Sequence, residues 1–256
     1  MSAPIIAIQE VSKNFVLNRE PLQALDKVSL EIYPREFVSI VGRSGCGKST
    51  LINIIGGLLP ASAGEVIVQG LAVTEPQEAI GMVFQSPVLL PWRTVLDNVL
   101  LPVEILRLPL EPALKTAQDL LALTGLKGFE HAYPRELSGG MQQRVAICRA
   151  LVFDPPILIM DEPFGALDAM TREEMGGELL RIWQERRKTI LFVTHSISEA
   201  VFLSDRVVVM TPRPGQVSDV VPVDLPRPRD LHVRAQPRFG EYELRVRQRI
   251  FKQAHA

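Results

Sequence analysis

The 256-residue chain is 46% hydrophobic and 22% charged, with a formal net charge of −1 at pH 7. That balance excludes a disordered chain and disfavours a general polyanion binder, whose affinity rests on clustered Lys and Arg neutralising phosphates. No apolar run approaches the ~20 residues of a membrane-spanning helix, and the start, Met1-Ser2-Ala3-Pro4, lacks the basic segment and apolar core of a secretory leader. The two cysteines, Cys46 and Cys148, have a spacing that suits neither a metal site nor a disulfide framework, which points to a reducing cytosol.

Residues 5–17 and 25–32 alternate apolar and polar side chains around a polar turn, the pattern of an antiparallel strand pair. Phe15 near the end of the first strand either stacks on an adenine ring or packs in the core. Residues 37–41, Phe-Val-Ser-Ile-Val, read as a buried strand, and 51–55, Leu-Ile-Asn-Ile-Ile, as a helix. Between them lies Gly42-Arg43-Ser44-Gly45-Cys46-Gly47-Lys48-Ser49-Thr50, which fits the phosphate-binding pattern of Gly, four variable positions, Gly, Lys and Ser or Thr. The glycines let backbone N–H groups approach a phosphate, and the new helix turns its positive end there. Lys48 suits the terminal phosphates, the Ser49 hydroxyl suits Mg²⁺, and Thr50 supports the outer phosphates. The bland alternative is a glycine-rich turn capping a helix.

Residues 64–70 and 79–84 read as strands, the second ending at Gln85, whose carbonyl could reach a metal or a water; a solvated loop amide is the usual fate of a lone Gln. Thr94 and Asp97 have capping-box spacing, so a helix is expected from Thr94, just after Trp92 and Arg93. The Leu-rich stretch 94–126, broken by Pro102, Pro109 and Pro112 and capped by Gly125, suggests an inserted helical subdomain. A further helix should run from Ser138 to about Val152. Ser138, Gly139 and Gly140 at its N-terminus read either as an N-cap with two flexible glycines or as a second anion site; paired glycines cost helix stability, so something should need them.

The apolar run 157–160 ends in Asp161-Glu162, as a buried parallel strand presenting acids at its carboxyl edge, where ligands bind in open α/β sheets. Asp161 can hold Mg²⁺ through water and Glu162 can polarise an attacking water; alone, such a pair is often a solvated turn. A turn at Gly165-Ala166-Leu167-Asp168, a charged helix at about 170–187 and a buried strand at 189–194 follow. That strand ends at His195, either a structural hydrogen-bonding residue or a contact for a terminal phosphate. A helix at 196–204 and strands near 206–210 and 216–223 close the core. From Leu225 onward eight Lys or Arg face three acids, with a final helix at about Glu241 to Phe251; a solvated face is the default reading, contact with phospholipid headgroups or a partner the alternative.

Together, GRSGCGKST, Gln85, LSGGMQQR, ILIMDE, GALD and His195 resemble the nucleotide-binding subunit of the ATP-binding cassette (ABC) transporters, over about residues 5–223. FQSPVLLPWRTVLDNVLLPVEIL and EPFGALDAMTR are similar to the bacterial importers of nitrate, aliphatic sulfonates and taurine. Phe15 stands where that family usually has tyrosine, and Ser196 and Ser198 replace acids common after the histidine.

The resemblance implies an α/β P-loop NTPase core with an N-terminal antiparallel β subdomain and a helical subdomain inserted at about 86–153, followed by a basic C-terminal extension, 224–256. It implies ATP and Mg²⁺, the ion held by Ser49, Gln85 and, through water, Asp161. Two copies of the chain would meet head to tail, each ATP lying between one chain's Lys48 loop and the other's Ser138-Gly139-Gly140. Glu162 would act as base, His195 as phosphate sensor, and Asp168 would communicate across the interface. The implied partners are integral membrane permease subunits, contacted through Trp92 and Arg93, and indirectly an extracytoplasmic solute-binding protein, with no nucleic acid; the place is the cytoplasmic face of the cell membrane. The competing reading is a soluble ABC-type ATPase acting on nucleic acid or another non-transport target. Against it, the chain carries a single cassette and no long heptad insertion.

Overall fold

The computed structural model describes residues 3–165 and 167–252. Met1 and Ser2, Ala166 of the expected 165–168 turn and residues 253–256 of the expected extension lie outside the described residues. In chain order the elements are β1 (Ile6–Leu17), β2 (Glu20–Ile32), β3 (Phe37–Val41), α1 (Lys48–Ile55), β4 (Ala63–Val68), β5 (Leu71–Ala72), β6 (Ile80–Val83), α2 (Val95–Ile105), α3 (Leu110–Leu123), α4 (Gly139–Leu151), β7 (Ile157–Asp161), α5 (Ala169–Arg186), β8 (Thr189–Val193), α6 (Ile197–Leu203), β9 (Arg206–Met210), β10 (Val217–Pro222) and α7 (Pro237–Lys252). They divide into two compact units, one of Met1–Gln77 with Arg187–Ala256 and the other of Glu78–Arg186.

The first unit holds a sheet ordered β2-β1-β4-β5 and the strand series β10-β9-β3-β8. The first is antiparallel, as alternation predicts, with Ile6, Ile8, Val28, Leu30 and Ile32 buried along β1 and β2. In the second, β3 lies between β8 and β9 and is parallel to both, Val38 opposite Leu191 and Ile40 opposite Val208. Strands covered on both faces read as continuous apolar runs, and every residue of β3 and β8 is buried. Phe37 and Phe192 pack with ring centroids 6.0 Å apart. Ser39 is the polar exception in β3, and its hydroxyl pairs with that of Ser204.

In the second unit β6 and β7 run parallel, Ile80 opposite Ile157 and Val83 opposite Met160. Thr94 caps α2 in a full capping box with Asp97. Pro102 does not end this helix: it removes one backbone bond, but burial of Val95, Val99, Leu100 and Val103 on both sides of it holds the turn. Pro109 instead precedes α3 and Pro112 sits in its first turn, where no N–H is needed. The cap of α3 is Thr124, with Gly125 following it at φ +70°. The helical segment expected at about 86–153 falls inside this unit, which also takes in β6, β7 and α5. Beyond β10, a 3₁₀ turn at Leu231–Ala235 leads to α7, which begins at Pro237, four residues before the expected start.

Candidate functional site

β3 leads into the 42–50 loop, whose shape follows from its glycines. Gly45 and Gly47 have φ of +76° and +100°, and a Cβ on Gly47 would fall 2.7 Å from Leu25 Cδ2 and 3.0 Å from Ala24 O. Only glycine fits there without strain. The Lys48 side chain is buried, and its ammonium donates to Gly42 O at 3.0 Å and Arg43 O at 3.2 Å. The loop thus curls around a cation at the N-terminus of α1, a concavity suited to an anion. Arg43, Ser44, Gly45 and Ser49 are exposed on it, Thr50 is half-buried, and Cys46 is buried beneath.

Phe15 is 36% exposed, which rules out the core reading of this ring. Lys13 Nζ lies 5.3 Å from the ring centroid while donating to Pro60 O at 2.7 Å, so the ring is braced by a fixed cation. His195 is exposed just past β8. The residues flanking it are fixed: Thr194 Oγ1 donates to Glu199 Oε2 at 2.6 Å and accepts from Ser196 N at 3.0 Å.

In the second unit Ser138 caps α4, its hydroxyl accepting from Met141 N at 3.3 Å. A Cβ on Gly139 would meet nothing within 4 Å, whereas one on Gly140 would lie 3.1 Å from Leu167 Cδ2. The open face at Gly139 leaves this helix end free to meet a ligand. Asp161 closes β7 and is buried; Glu162 follows with φ +44°, a left-handed conformation uncommon for a glutamate. Asp168 is exposed and accepts from Thr171 N at 3.1 Å and Thr171 Oγ1 at 2.6 Å. The Thr171 hydroxyl, then its N–H, holds the Asp168 carboxyl below the usual aspartate value. Gln85 is exposed after β6. Trp92 is 72% exposed, but Arg93 is not free beside it: Arg93 Nη1 bonds Glu104 Oε2 at 2.7 Å.

Several residues around these motifs escape sequence reasoning. Gln143 Nε2 donates to Phe84 O at 3.1 Å, and Arg149 donates to Pro87 O at 2.7 Å and Val88 O at 2.8 Å, so α4 holds the backbone on both sides of Gln85. Asn98, fully buried, accepts from Leu90 N and donates to the carbonyls of Leu90, Arg93 and Thr94. Gly215 lies against the phosphate loop: a Cβ there would fall 2.1 Å from Cys46 O.

Comparison with known proteins bears on the family and the fold. The family model described as ABC transporter matches residues 25–165. An uncharacterized ABC transporter ATP-binding protein of Methanocaldococcus jannaschii is 48% identical over 241 residues, covering 94% of this chain and 89% of the relative. The taurine import ATP-binding protein TauB of Rhizobium johnstonii is 47% identical over 231 residues, 88% of each chain. Among solved structures, a dimeric ATP-binding cassette in a post-hydrolysis state bound to ADP and Pi superposes with a TM-score of 0.77 at 36% identity, covering 86% of this chain and 99% of that one.

Proposed function

Because the chain belongs to the ABC transporter family, we propose that it is the ATP-hydrolysing subunit of an importer that takes up a small anionic solute such as taurine, another aliphatic sulfonate or nitrate. The observation that carries this reading is the Lys48-centred loop at the start of α1, in a chain 47% identical to a taurine import ATP-binding protein. Residues 5–223 form the nucleotide-binding domain, the helical part at about 86–153 faces the permease, and 224–256 is an extension.

Within that reading Gly42 to Thr50 bind the ATP phosphates, with Lys48 supplying the positive charge and Phe15 a face for the adenine. Glu162, held in its uncommon backbone conformation, polarises the attacking water; His195 reads the terminal phosphate. Ser138, Gly139 and Gly140 bind the ATP of a second copy, and Asp168 lies at that interface. The exposed Ser49 hydroxyl, the Gln85 amide carbonyl and the Asp161 carboxylate are the hard oxygen donors that suit Mg²⁺, an ion that takes few protein ligands. Mg²⁺ would neutralise phosphate charge as it develops.

Among the described residues no helix is long and apolar enough to cross a membrane. Permease subunits are the proposed partners, with a solute-binding protein acting through them and the chain seated peripherally on the cytoplasmic face of the cell membrane. The test is a pull-down of the tagged chain from detergent-solubilised native membranes. Recovery of a multi-span permease supports the importer; recovery of only soluble or DNA-associated proteins overturns it.

A further inference from the structure

The basic extension after β10 does not form only the solvated face that its composition suggests. Arg229 is 6% exposed, and its guanidinium donates to five carbonyls: Nη1 to Val201 O at 3.1 Å, Phe202 O at 3.0 Å and Ser204 O at 2.8 Å, and Nη2 to Val223 O at 3.2 Å and Leu225 O at 3.3 Å. The first three belong to the last turn of α6 and the residue after it, where a helix leaves carbonyls without partners and its dipole favours a cation. Burial, reinforced by the neighbouring Arg227, lowers the Arg229 guanidinium to about 10. It remains charged at neutral pH.

Arg227 makes a second attachment. Its Nη2 donates to Leu203 O at 2.7 Å, while Nε and Nη2 donate to Asp205 Oδ1 at 3.0 and 2.8 Å. The other oxygen of Asp205 accepts from Phe37 N at 2.9 Å, at the first residue of the strand that feeds the phosphate loop. Arg234 adds a third contact, its guanidinium 4.8 Å above the Phe202 ring. Behind these, α7 is fastened by buried Phe239 and Val246 and by Arg249 to Asp219 at 2.7 Å.

The far end of α6 is the one that matters for chemistry. Its N-cap Ser196 directly follows His195, and Glu199 in its first turn holds the Thr194 hydroxyl on the other side of that histidine. Five consecutive residues of α6, 199–203, are buried, so the helix moves as a piece or not at all.

We infer that Arg229, supported by Arg227 and Arg234, is a positioning residue for ATP turnover: it straps the C-terminal extension to α6 and so fixes where His195 presents its ring. The inference rests on the ATPase reading above. Arg229 touches no nucleotide-binding residue, so its loss should act on turnover and leave ATP binding alone.

The test compares full-length wild type with Arg229→Gln, Arg229→Lys and Arg234→Ala in steady-state Mg²⁺-ATP hydrolysis, alongside melting temperature. Expected are a fall in kcat of about fivefold or more in Arg229→Gln with KM for ATP within twofold, partial recovery in Arg229→Lys, and a smaller fall in Arg234→Ala. A folded Arg229→Gln with wild-type kcat overturns the inference, as does a common rise in KM across the series. Should Arg229→Gln fail to fold, the surface-reaching Arg234→Ala decides: wild-type kcat there overturns it. Absence of turnover in the wild type instead strikes the ATPase reading itself.

Discussion

In the proposed site Lys48 and Glu162 would carry opposite halves of the chemistry, so their variants should fail differently. Lys48→Ala removes the one ammonium inside the loop, and nucleotide affinity measured by calorimetry should drop at least tenfold. Glu162→Gln keeps the shape and loses the base; ATP should still bind while turnover falls by about 10²–10⁴, the usual worth of a general base. Gly215→Ala is a sharper check of the loop's support. A Cβ at 2.1 Å from Cys46 O forces the loop to shift, and ATP affinity should fall although residue 215 lies far outside the phosphate-binding motif. The positions of Lys48 at the start of α1 and of Glu162 after β7 were legible in the sequence, because each lies in a local strand-loop-helix or strand-acid unit. Gly215 was not, because its constraint comes from a chain segment some 170 residues away that only folding brings near. Cys148 illustrates the same limit: burial pushes its thiol up to about 12, so iodoacetamide should label it at neutral pH only after unfolding.

Among the elements, boundaries set by local chemistry could be read in advance and those set by packing could not. Thr94 starts α2 where its capping box with Asp97 requires, but Pro102 fails to stop it because buried valines on both sides outweigh one missing backbone bond. Asn98 shows how much a helix can hold beyond itself. Its side chain fixes the backbone at Leu90, Arg93 and Thr94, so Asn98→Ala takes the partner from the Leu90 N–H and the Arg93 carbonyl, while the Leu90 and Thr94 carbonyls keep the N–H groups of Arg93 and Asn98. The expected loss is about 2–3 kcal/mol, seen as a melting temperature lower by several degrees. At the start of α5, Asp168 is held below the usual aspartate value by Thr171. Its contribution to the helix is therefore complete above the ordinary aspartate range and fades as pH falls through the lowered value.

For the whole molecule, the residues proposed for ATP are of two kinds: those of the Lys48 loop, and those at the N-terminus of α4, proposed to meet the ATP of a second copy. Open space over Gly139 and a bare, capped helix end are the physical reasons to look for a second copy. Sequence reasoning proposes this pairing through the LSGGMQQR resemblance, not through any pattern of charge or hydrophobicity, because an interface between copies leaves little trace in either. The most direct measurement is the mass of purified Glu162→Gln by light scattering across a gel-filtration column, with and without Mg²⁺-ATP. Doubling of the mass on adding ATP, absent when Lys48→Ala is introduced into the same chain, is the predicted result. A monomer at every ATP concentration, in a protein that still binds the nucleotide, would contradict the head-to-tail ATPase.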